Sequence, residues 1–333
     1  MPLGDVLLRV EGLTAGFDVG GRFVPVVRGV DFTIARGETL GLVGESGSGK
    51  TVTALSIVRL LRPPGRIQAG RIIFEDRDLL ALDEAAMRSV RGGGIGVVFQ
   101  EPAAALSPVF TIGDQVAEAI VAHGGTGWRE ARRLSIGLLE AVRMNDASHR
   151  AREYPHQLSG GLRQRAMIAI ALACRPPLLI ADEPTAALDA TIQAEILELL
   201  RDLAQRFGLA LLLVAHDLGV VAQAADRVAV MYAGEIVEQG ETATVLGAPA
   251  HPYTQGLLAS LPGRLNAPDG RLQPIEGSMP TPDRLPIGCA FEPRCPARFD
   301  RCRSEHPAAW ATTAPPDRVP RVSRCHLAQP GRS

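Results

Sequence analysis

The sequence predicts an α/β fold with an antiparallel β segment at its N-terminus, a helical insertion near its middle and a Pro/Cys-rich extension at its C-terminus. Three observations lead there. Short apolar runs alternate with amphipathic stretches through residues 1–248, the pattern of strands buried between helices. That alternation breaks at residues 101–145, which read as helices alone. Finally, 15 of the 25 prolines and four of the 5 cysteines fall after residue 248.

Composition narrows the class further. Hydrophobic residues make up 46% and charged residues 21% of the 333 positions, enough apolar material for a sizeable core. The formal net charge of −1, from 35 basic and 36 acidic residues, argues against a nucleic-acid partner and against a polybasic membrane anchor. No apolar run approaches the ~20 residues of a spanning helix. The opening MPLGDVLLRVEG lacks the basic-then-apolar order of a signal peptide. The expectation is a cytoplasmic chain whose membrane role, if it has one, runs through a partner.

The elements follow in order. Val6–Phe17 and Phe23–Ile34 read as strands, with a turn at Ala35–Glu38. Thr39–Val43 is a short apolar strand entering a Gly-rich loop, and a helix follows from Lys50 to Leu60. Arg71–Phe74 and Gly96–Phe99 read as further strands. Thr111–Gly124 and Trp128–Met144 are the helices of the insertion. Leu178–Ala181 and Leu209–Ala215 are continuously apolar, as strands covered on both faces are. Between them Ala190–Phe207 is an amphipathic helix with Asp189 as N-cap. Asp226–Tyr232 and Glu235–Gln239 form a hairpin, and Tyr253–Leu261 is a last short helix.

The loop after the third strand carries the first chemistry. Residues 44–51 read GESGSGKT, which fits G-x-x-x-x-G-K-[ST] in its required setting of strand, loop and helix. Gly44, Gly47 and Gly49 let backbone amides turn inward on phosphate oxygens, aided by the helix N-terminus. Glu45, Ser46, Ser48 and Val52 complete the stretch that would cradle a nucleoside triphosphate. Lys50 would reach the β- and γ-phosphates, and the Thr51 hydroxyl would ligate Mg²⁺. Of 35 basic residues Lys50 alone is lysine. A compact ammonium fits between phosphates where a guanidinium fork would clash. The loop alone does not separate kinases, GTPases, helicases and transport ATPases.

LLIADEP at 178–184 sets two carboxylates at the end of a buried strand. Asp182 is placed to hold the Mg²⁺ shell. Glu183 points elsewhere, because successive side chains alternate, and can serve as general base for an attacking water. LSGGLRQR at 158–165 then opens a second Gly-rich helix N-terminus able to bind an anion. One nucleotide does not need two cradles within one chain, so this loop makes sense facing a γ-phosphate held by another subunit.

Here the sequence resembles the ATP-binding cassette (ABC) family, ATPases that power transporters. Its signature LSGGQ appears with Leu162 where Gln is usual, a variant familiar in the peptide-importer branch. The resemblance implies roles for further residues. Gln100 would sense Mg²⁺ and water and lead into the helical subdomain. AALD at 186–189 would cross a dimer interface through Asp189, with Ala186 in place of a more usual Ser. His216 would contact the γ-phosphate, Ser159, Gly160 and Gly161 would complete the site of a facing subunit, and Phe17, or else Phe23, would stack on adenine. The implied fold is a P-loop NTPase core, an ATPase domain over residues 1–248 with a helical subdomain at about 101–175, and an extension over 249–333.

The resemblance continues past the core. EPAAALSPVFTIGDQVAEA at 101–119, HPYTQGLLASLP at 251–262 and PIGCAFEPRCP at 286–296 look like the oligopeptide/dipeptide importer subfamily, a pattern nickel importers share. It implies ATP and Mg²⁺ as ligands, a second ATPase subunit, identical or homologous, two membrane permeases, an extracytoplasmic solute-binding protein, and a place at the cytoplasmic face of the membrane. A soluble ABC ATPase outside transport is the rival, and the chain lacks the second cassette or long coiled-coil insertion usual there.

Cys289, Cys295, Cys302 and Cys325 are separated by 5, 6 and 22 residues in a Pro-rich segment without an obvious core. A reduced cytoplasm disfavours disulfides, so a metal staple is expected. Zinc sites usually show paired C-x₂₋₄-C hooks, which are missing here, whereas a [4Fe–4S] cluster does not need them. The family resemblance points the same way, to an iron–sulfur cluster with zinc as runner-up. Cys174, in the signature helix, reads as a buried small hydrophobe.

Overall fold

The computed structural model describes residues 5–186, 188–261, 274–311 and 321–329. Its strands, in chain order, are β1 (Val6–Val19), β2 (Arg22–Ala35), β3 (Thr39–Val43), β4 (Gly65–Phe74), β5 (Arg77–Asp78), β6 (Ile95–Val98), β7 (Leu178–Asp182), β8 (Ala210–Ala215), β9 (Arg227–Tyr232), β10 (Glu235–Glu241), β11 (Trp310–Ala311) and β12 (Val322–Ser323). The chain falls into two units, Met1–Ala35 with Thr39–Leu80 and Ala215–Ser333, and Arg36–Glu38 with Ala81–Val214.

The first unit holds an antiparallel sheet of order β2-β1-β4-β5. Alternation along β1 and β2 buries Leu8, Val10, Leu13, Phe32 and Ile34, as a one-sided sheet requires. In the same unit β3 runs parallel to β9, and β10, β12 and β11 extend from β9 antiparallel. β3 is buried at every position and passes directly into the loop and helix Lys50–Ile57. The predicted hairpin is β9–β10, and its edge is taken by the C-terminal strand β12.

The second unit centres on three parallel strands of order β8-β7-β6, with β7 and β8 wholly buried. Helix Ala190–Phe207 covers this unit's core with Ile196, Leu199, Leu200 and Leu203. The insertion contributes helices Ile112–Gly124 and Trp128–Ala141, and the signature segment forms helix Gly160–Ala171. Among the described residues, no helix is long and apolar enough to cross a membrane.

Several boundaries differ from the sequence expectation, and each has a local cause. β4 starts at Gly65 instead of Arg71, because its polar first half pairs with the far end of β1 while staying largely exposed. The helix from Lys50 stops at Ile57, just before Arg59, whose φ of 52° breaks the turn. Helix Trp128–Ala141 likewise stops short of Arg143, at φ 57°, and helix Gly160–Ala171 short of Arg175, at φ 50°. Helices Glu84–Gly93, Leu218–Ala224 and Thr242–Gly247 were not expected at all. The first buries only Met87 and Val90, so its hydrophobic stripe is too thin to read.

What starts that helix is a cap. Asp83 Oδ1 accepts a hydrogen bond from the Ala86 amide at 2.8 Å. Replacing Asp83 by Ala should cost the helix about 1 kcal/mol. Hydrogen exchange of residues 84–90 should then speed up several-fold with ATPase activity unchanged. Unaltered exchange would show that tertiary contacts alone hold the helix.

Candidate functional site

The phosphate loop is shaped by what lies against it. Gly44 has φ 159°, and a Cβ there would sit 2.1 Å from the Met231 carbonyl oxygen of β9. Gly49, at φ 107° as N-cap of helix Lys50–Ile57, would press a Cβ to 2.8 Å from Met231 Cε and 3.0 Å from the Val26 carbonyl of β2. Only glycine allows the backbone to pass so close, so the loop's amides stay turned to one side. The Gly234 amide donates to the Ser48 carbonyl at 2.9 Å, pinning the loop from the β9–β10 turn. Ser48 itself is buried, and its Oγ has no hydrogen-bond partner among the described residues, an unmet polar group facing into this loop.

Lys50 is 4% exposed, and its Nζ donates to the Gly44 carbonyl at 2.8 Å and the Glu45 carbonyl at 3.0 Å. Those bonds fold the ammonium back over the loop's own mouth, where it would meet a phosphate. Ser46 and Gly47 are exposed, Glu45 is half-buried, and Thr51 and Val52 begin the helix half-exposed. The residues present fit a nucleoside triphosphate: a glycine cradle, an orphaned buried hydroxyl and a lysine over converging carbonyls.

Also in the first unit, Phe17 lies half-buried in β1 opposite Gly65, whose absent Cβ leaves room for the Phe17 ring edge. Phe23 instead lies beneath the Arg66 guanidinium, 4.5 Å from ring centroid to Cζ. His216 is exposed and follows β8 directly, next to Asp217, which caps helix Leu218–Ala224 by accepting from the Gly219 amide at 2.6 Å.

The second unit brings Gln100 and Glu183 together. Gln100 Nε2 donates to Glu183 Oε2 at 2.9 Å. Asp182, the last residue of β7, is 4% exposed. Glu183 sits at φ 44°, in the left-handed region a Cβ disfavours, and is held there because its amide donates to Val214 of β8 at 3.0 Å. Strained backbone of this kind clusters at functional sites. Ser159 caps the signature helix, its Oγ accepting from the Leu162 amide, with Gly160 exposed and Gly161 packed against Ile192. Asp189 caps the next helix, accepting from the amides of Thr191 at 3.1 Å and Ile192 at 3.0 Å.

Sequence reasoning missed one group at the phosphate loop. The Glu45 amide donates to Tyr253 Oη at 2.9 Å, and the Glu45 carboxylate is gripped by both terminal nitrogens of Arg294 at 2.9 and 3.1 Å. No local signal marks these partners, which come from the C-terminal extension.

The four C-terminal cysteines lie in the first unit. Cys302 and Cys325 are buried, Cys289 and Cys295 half-buried. The Cys289 amide donates to the Cys302 carbonyl at 2.8 Å. Burial pushes the Cys289 thiol up to about 12, and proximity to Cys325, Cys302 and Cys295 adds to that rise. Burial likewise raises Cys295 and Cys325, again with neighbouring cysteines contributing. Yet among the described residues no three His, Cys, Asp or Glu side chains are arranged to hold a metal ion. Cys174 belongs to the second unit, where its Sγ lies 3.5 Å from the Ala119 carbonyl and burial raises its pKa.

Comparison with known proteins adds to this geometry. Residues 27–186 match the ABC transporter family, and residues 237–302 match the C-terminal region of oligopeptide/dipeptide transporters. The chain is 50% identical over 305 residues to the oligopeptide transport ATP-binding protein AppD of Bacillus subtilis (strain 168), covering 91% of this chain and 93% of that one. It is 47% identical to the dipeptide transport ATP-binding protein DppD of the same organism, covering 91% and 90%. Among solved structures, the dimeric ATP-binding cassette MJ0796 in its post-hydrolysis state with ADP and Pi is 28% identical with a TM-score of 0.63, covering 71% of this chain and 98% of that one. CbiO1 of Clostridium perfringens, part of the transporter complex cbiONQ, is 27% identical with a TM-score of 0.64, covering 73% and 92%.

The burial of Lys50 makes a definite prediction. Arg at that position would have to fit a planar fork between the Gly44 and Glu45 carbonyls. Lys50→Arg should weaken ATP binding or turnover at least tenfold while leaving the circular dichroism spectrum unchanged. Parent-like kinetics would show that positive charge alone is what the loop needs.

Proposed function

The chain belongs to the ABC transporter family of ATPases, and from that premise we propose that it hydrolyses ATP to energise the uptake of di- or oligopeptides through a membrane permease. The observation that carries the peptide reading is residues 237–302, similar to the oligopeptide/dipeptide transporter C-terminal region and built into the same unit as the phosphate loop. In this reading residues 1–248 form the ATPase domain, with a helical subdomain at about 101–175, and residues 249–333 form the extension. The chain sits at the cytoplasmic face of the membrane against two permease subunits, one helix of which docks on residues 101–145. A solute-binding protein outside the membrane delivers the peptide.

The residue roles are proposed accordingly. Gly44–Val52 bind the phosphates through backbone amides and Lys50, and Phe17 stacks on adenine. Thr51, Gln100 and Asp182 offer oxygens to Mg²⁺, which neutralises charge on the β- and γ-phosphates when bound. Glu183, oriented by the Gln100 amide, takes a proton from the attacking water. His216 donates to the γ-phosphate end. Ser159, Gly160, Gly161 and Asp189 act across a dimer on the nucleotide of a second ATPase subunit, identical or homologous.

Glu183→Gln tests the central assignment. It keeps the shape and the contact with Gln100 but removes the base, so turnover should fall ~10²–10⁴-fold. ATP binding should persist, and a nucleotide-held dimer should accumulate on size-exclusion chromatography. Hydrolysis near the parent rate would remove Glu183 from the role.

The cysteines carry a second reading. Four cysteines share one partly buried segment, and burial raises the thiols of Cys289, Cys295 and Cys325, so these are stabilised as thiolates only beside a cation. We propose that they hold an iron–sulfur cluster, with zinc as the alternative. Their present arrangement is not that of a formed metal site, so loading would require the segment to close around the ion. Protein purified without oxygen should be brown, with about four irons and matching sulfide per chain. Cys→Ser at 289, 295, 302 or 325 should bleach it, and Cys174→Ser should not. One zinc per colourless chain would favour the alternative, and metal-free folded protein would overturn both.

A further inference from the structure

A carboxylate is an awkward residue to place in a loop that receives a polyanion. Glu45 is the second residue of the phosphate loop, and its side chain carries a charge of the same sign as the triphosphate. Like charges this close in a partly desolvated site repel by an amount that water screens poorly.

The extension answers that charge. Arg294 meets the Glu45 carboxylate fork to fork, at 2.9 and 3.1 Å, with the Arg294 side chain 6% exposed and that of Glu45 28% exposed. Its remaining donors are engaged as well: Nε with the Glu276 carbonyl at 2.9 Å, Nη2 with Ile275 at 3.3 Å and Nη1 with Tyr232 Oη at 3.4 Å. A guanidinium held by five acceptors is fixed in place. Tyr253 adds a second hold on the same residue, accepting from the Glu45 amide. Behind them the rings of Tyr232, Tyr253 and Phe291 pack with centroids 4.6 to 5.4 Å apart. Met279 reaches the same place, with Cε 3.3 Å from where a Gly47 Cβ would stand and Sδ 3.4 Å from the Ala233 amide.

We propose that Arg294 is a positioning residue of the nucleotide site: by neutralising Glu45 and fixing its carboxylate outward, it sets the affinity of the phosphate loop for ATP. Residues 274–296 thereby become part of the nucleotide site, although they lie far from it in sequence. Arg294 closes the short turn Glu292–Arg294 and immediately precedes Cys295, so the fold of the cysteine segment aims it. The inference rests on reading Gly44–Thr51 as the phosphate cradle, and does not need a metal at the cysteines.

A double-mutant cycle on the purified full chain tests it, with Kd for MgATP and steady-state ATPase kinetics as readouts. Arg294→Gln should raise Kd and KM roughly tenfold, the scale of one lost charge pair beside an anion, with kcat within about twofold. Glu45→Gln alone should lower Kd, because it removes the repelling charge while Arg294 keeps its own. The double variant should recover most of the loss, because the repelling charge is gone. Additive effects, or a fall in kcat at unchanged KM, would overturn the proposal and leave Arg294 a purely structural residue. Should Arg294→Gln unfold by circular dichroism, Arg294→Met, which keeps an apolar stem but removes the charge, replaces it in the cycle, and an additive result there overturns the proposal equally. Lys50→Ala is the control for the premise. If it binds ATP like the parent, the cradle reading fails, whereas lost binding in Lys50→Ala with a flat Arg294 cycle refutes the latch alone.

Discussion

Everything near the phosphate loop depends on two places where backbone meets backbone with no room for a side chain. At Gly44 the Met231 carbonyl occupies the position of a Cβ, and at Gly49 the Val26 carbonyl and the Met231 side chain do. These contacts fix β9 on one side of the loop and β2 on the other. The Gly234 amide bonds to Ser48 and the Gly234 carbonyl accepts from Arg28 of β2 at 2.8 Å, so one turn stitches both neighbours together. The parallel pairing of β3 with β9 then brings the chain to the loop in register, and the helix beginning at Lys50 presents its N-terminus there. An inward row of amides without competing side chains is what an anion requires, and the rest of the first unit holds that row open.

The parts of this design written in local pattern were legible. The apolar strand before GESGSGKT, the carboxylate pair after LLIA and the Asp189 cap each depend on residues within a few positions of one another. Chain elements set by single capping residues or by positive φ were not. Nothing at Arg59, Arg143 or Arg175 announces a left-handed residue, and each ends a helix earlier than composition implies. The first half of β4 escaped for a different reason. Its residues are mostly exposed, so β pairing there is set by β1 and not by burial, and the alternation that marks a strand is missing.

The extension shows the limit most clearly. By sequence alone, its scarcity of large apolar residues points to a metal staple in place of a core. The structure supplies a core of another kind. Tyr253 and Phe291 are buried against Tyr232 of β9, and His251, fully buried and held well below its usual pKa by desolvation, at about 4, packs beside Phe291. Glu238 of β10 is inaccessible to solvent and accepts from the Ala250 amide at 2.8 Å and the His251 amide at 3.0 Å. Burial raises its pKa, and those two amides work against the rise. The extension thus borrows apolar surface from the strands that carry the phosphate loop. Such contacts join residues as distant as Glu45 and Arg294, 249 positions apart, which one sequence cannot pair.

That borrowing gives the cysteines a physical route to the nucleotide site. Burial, with a further contribution from neighbouring cysteines, raises the thiols of Cys289, Cys295 and Cys325 and so favours their neutral form. If the cysteines bind metal as proposed, their conversion to thiolates would add negative charge in the segment that holds Arg294. The Cys289 thiolate would already be felt at Tyr232, whose pKa is raised mainly by burial but also by that cysteine, while its hydrogen bond from Arg294 opposes the rise. Arg294 faces Glu45 and Tyr232 together, so a charge appearing behind it must be shared among the same few groups. In a site this desolvated, charge cannot change on one side of Arg294 without altering how firmly it holds the carboxylate on the other.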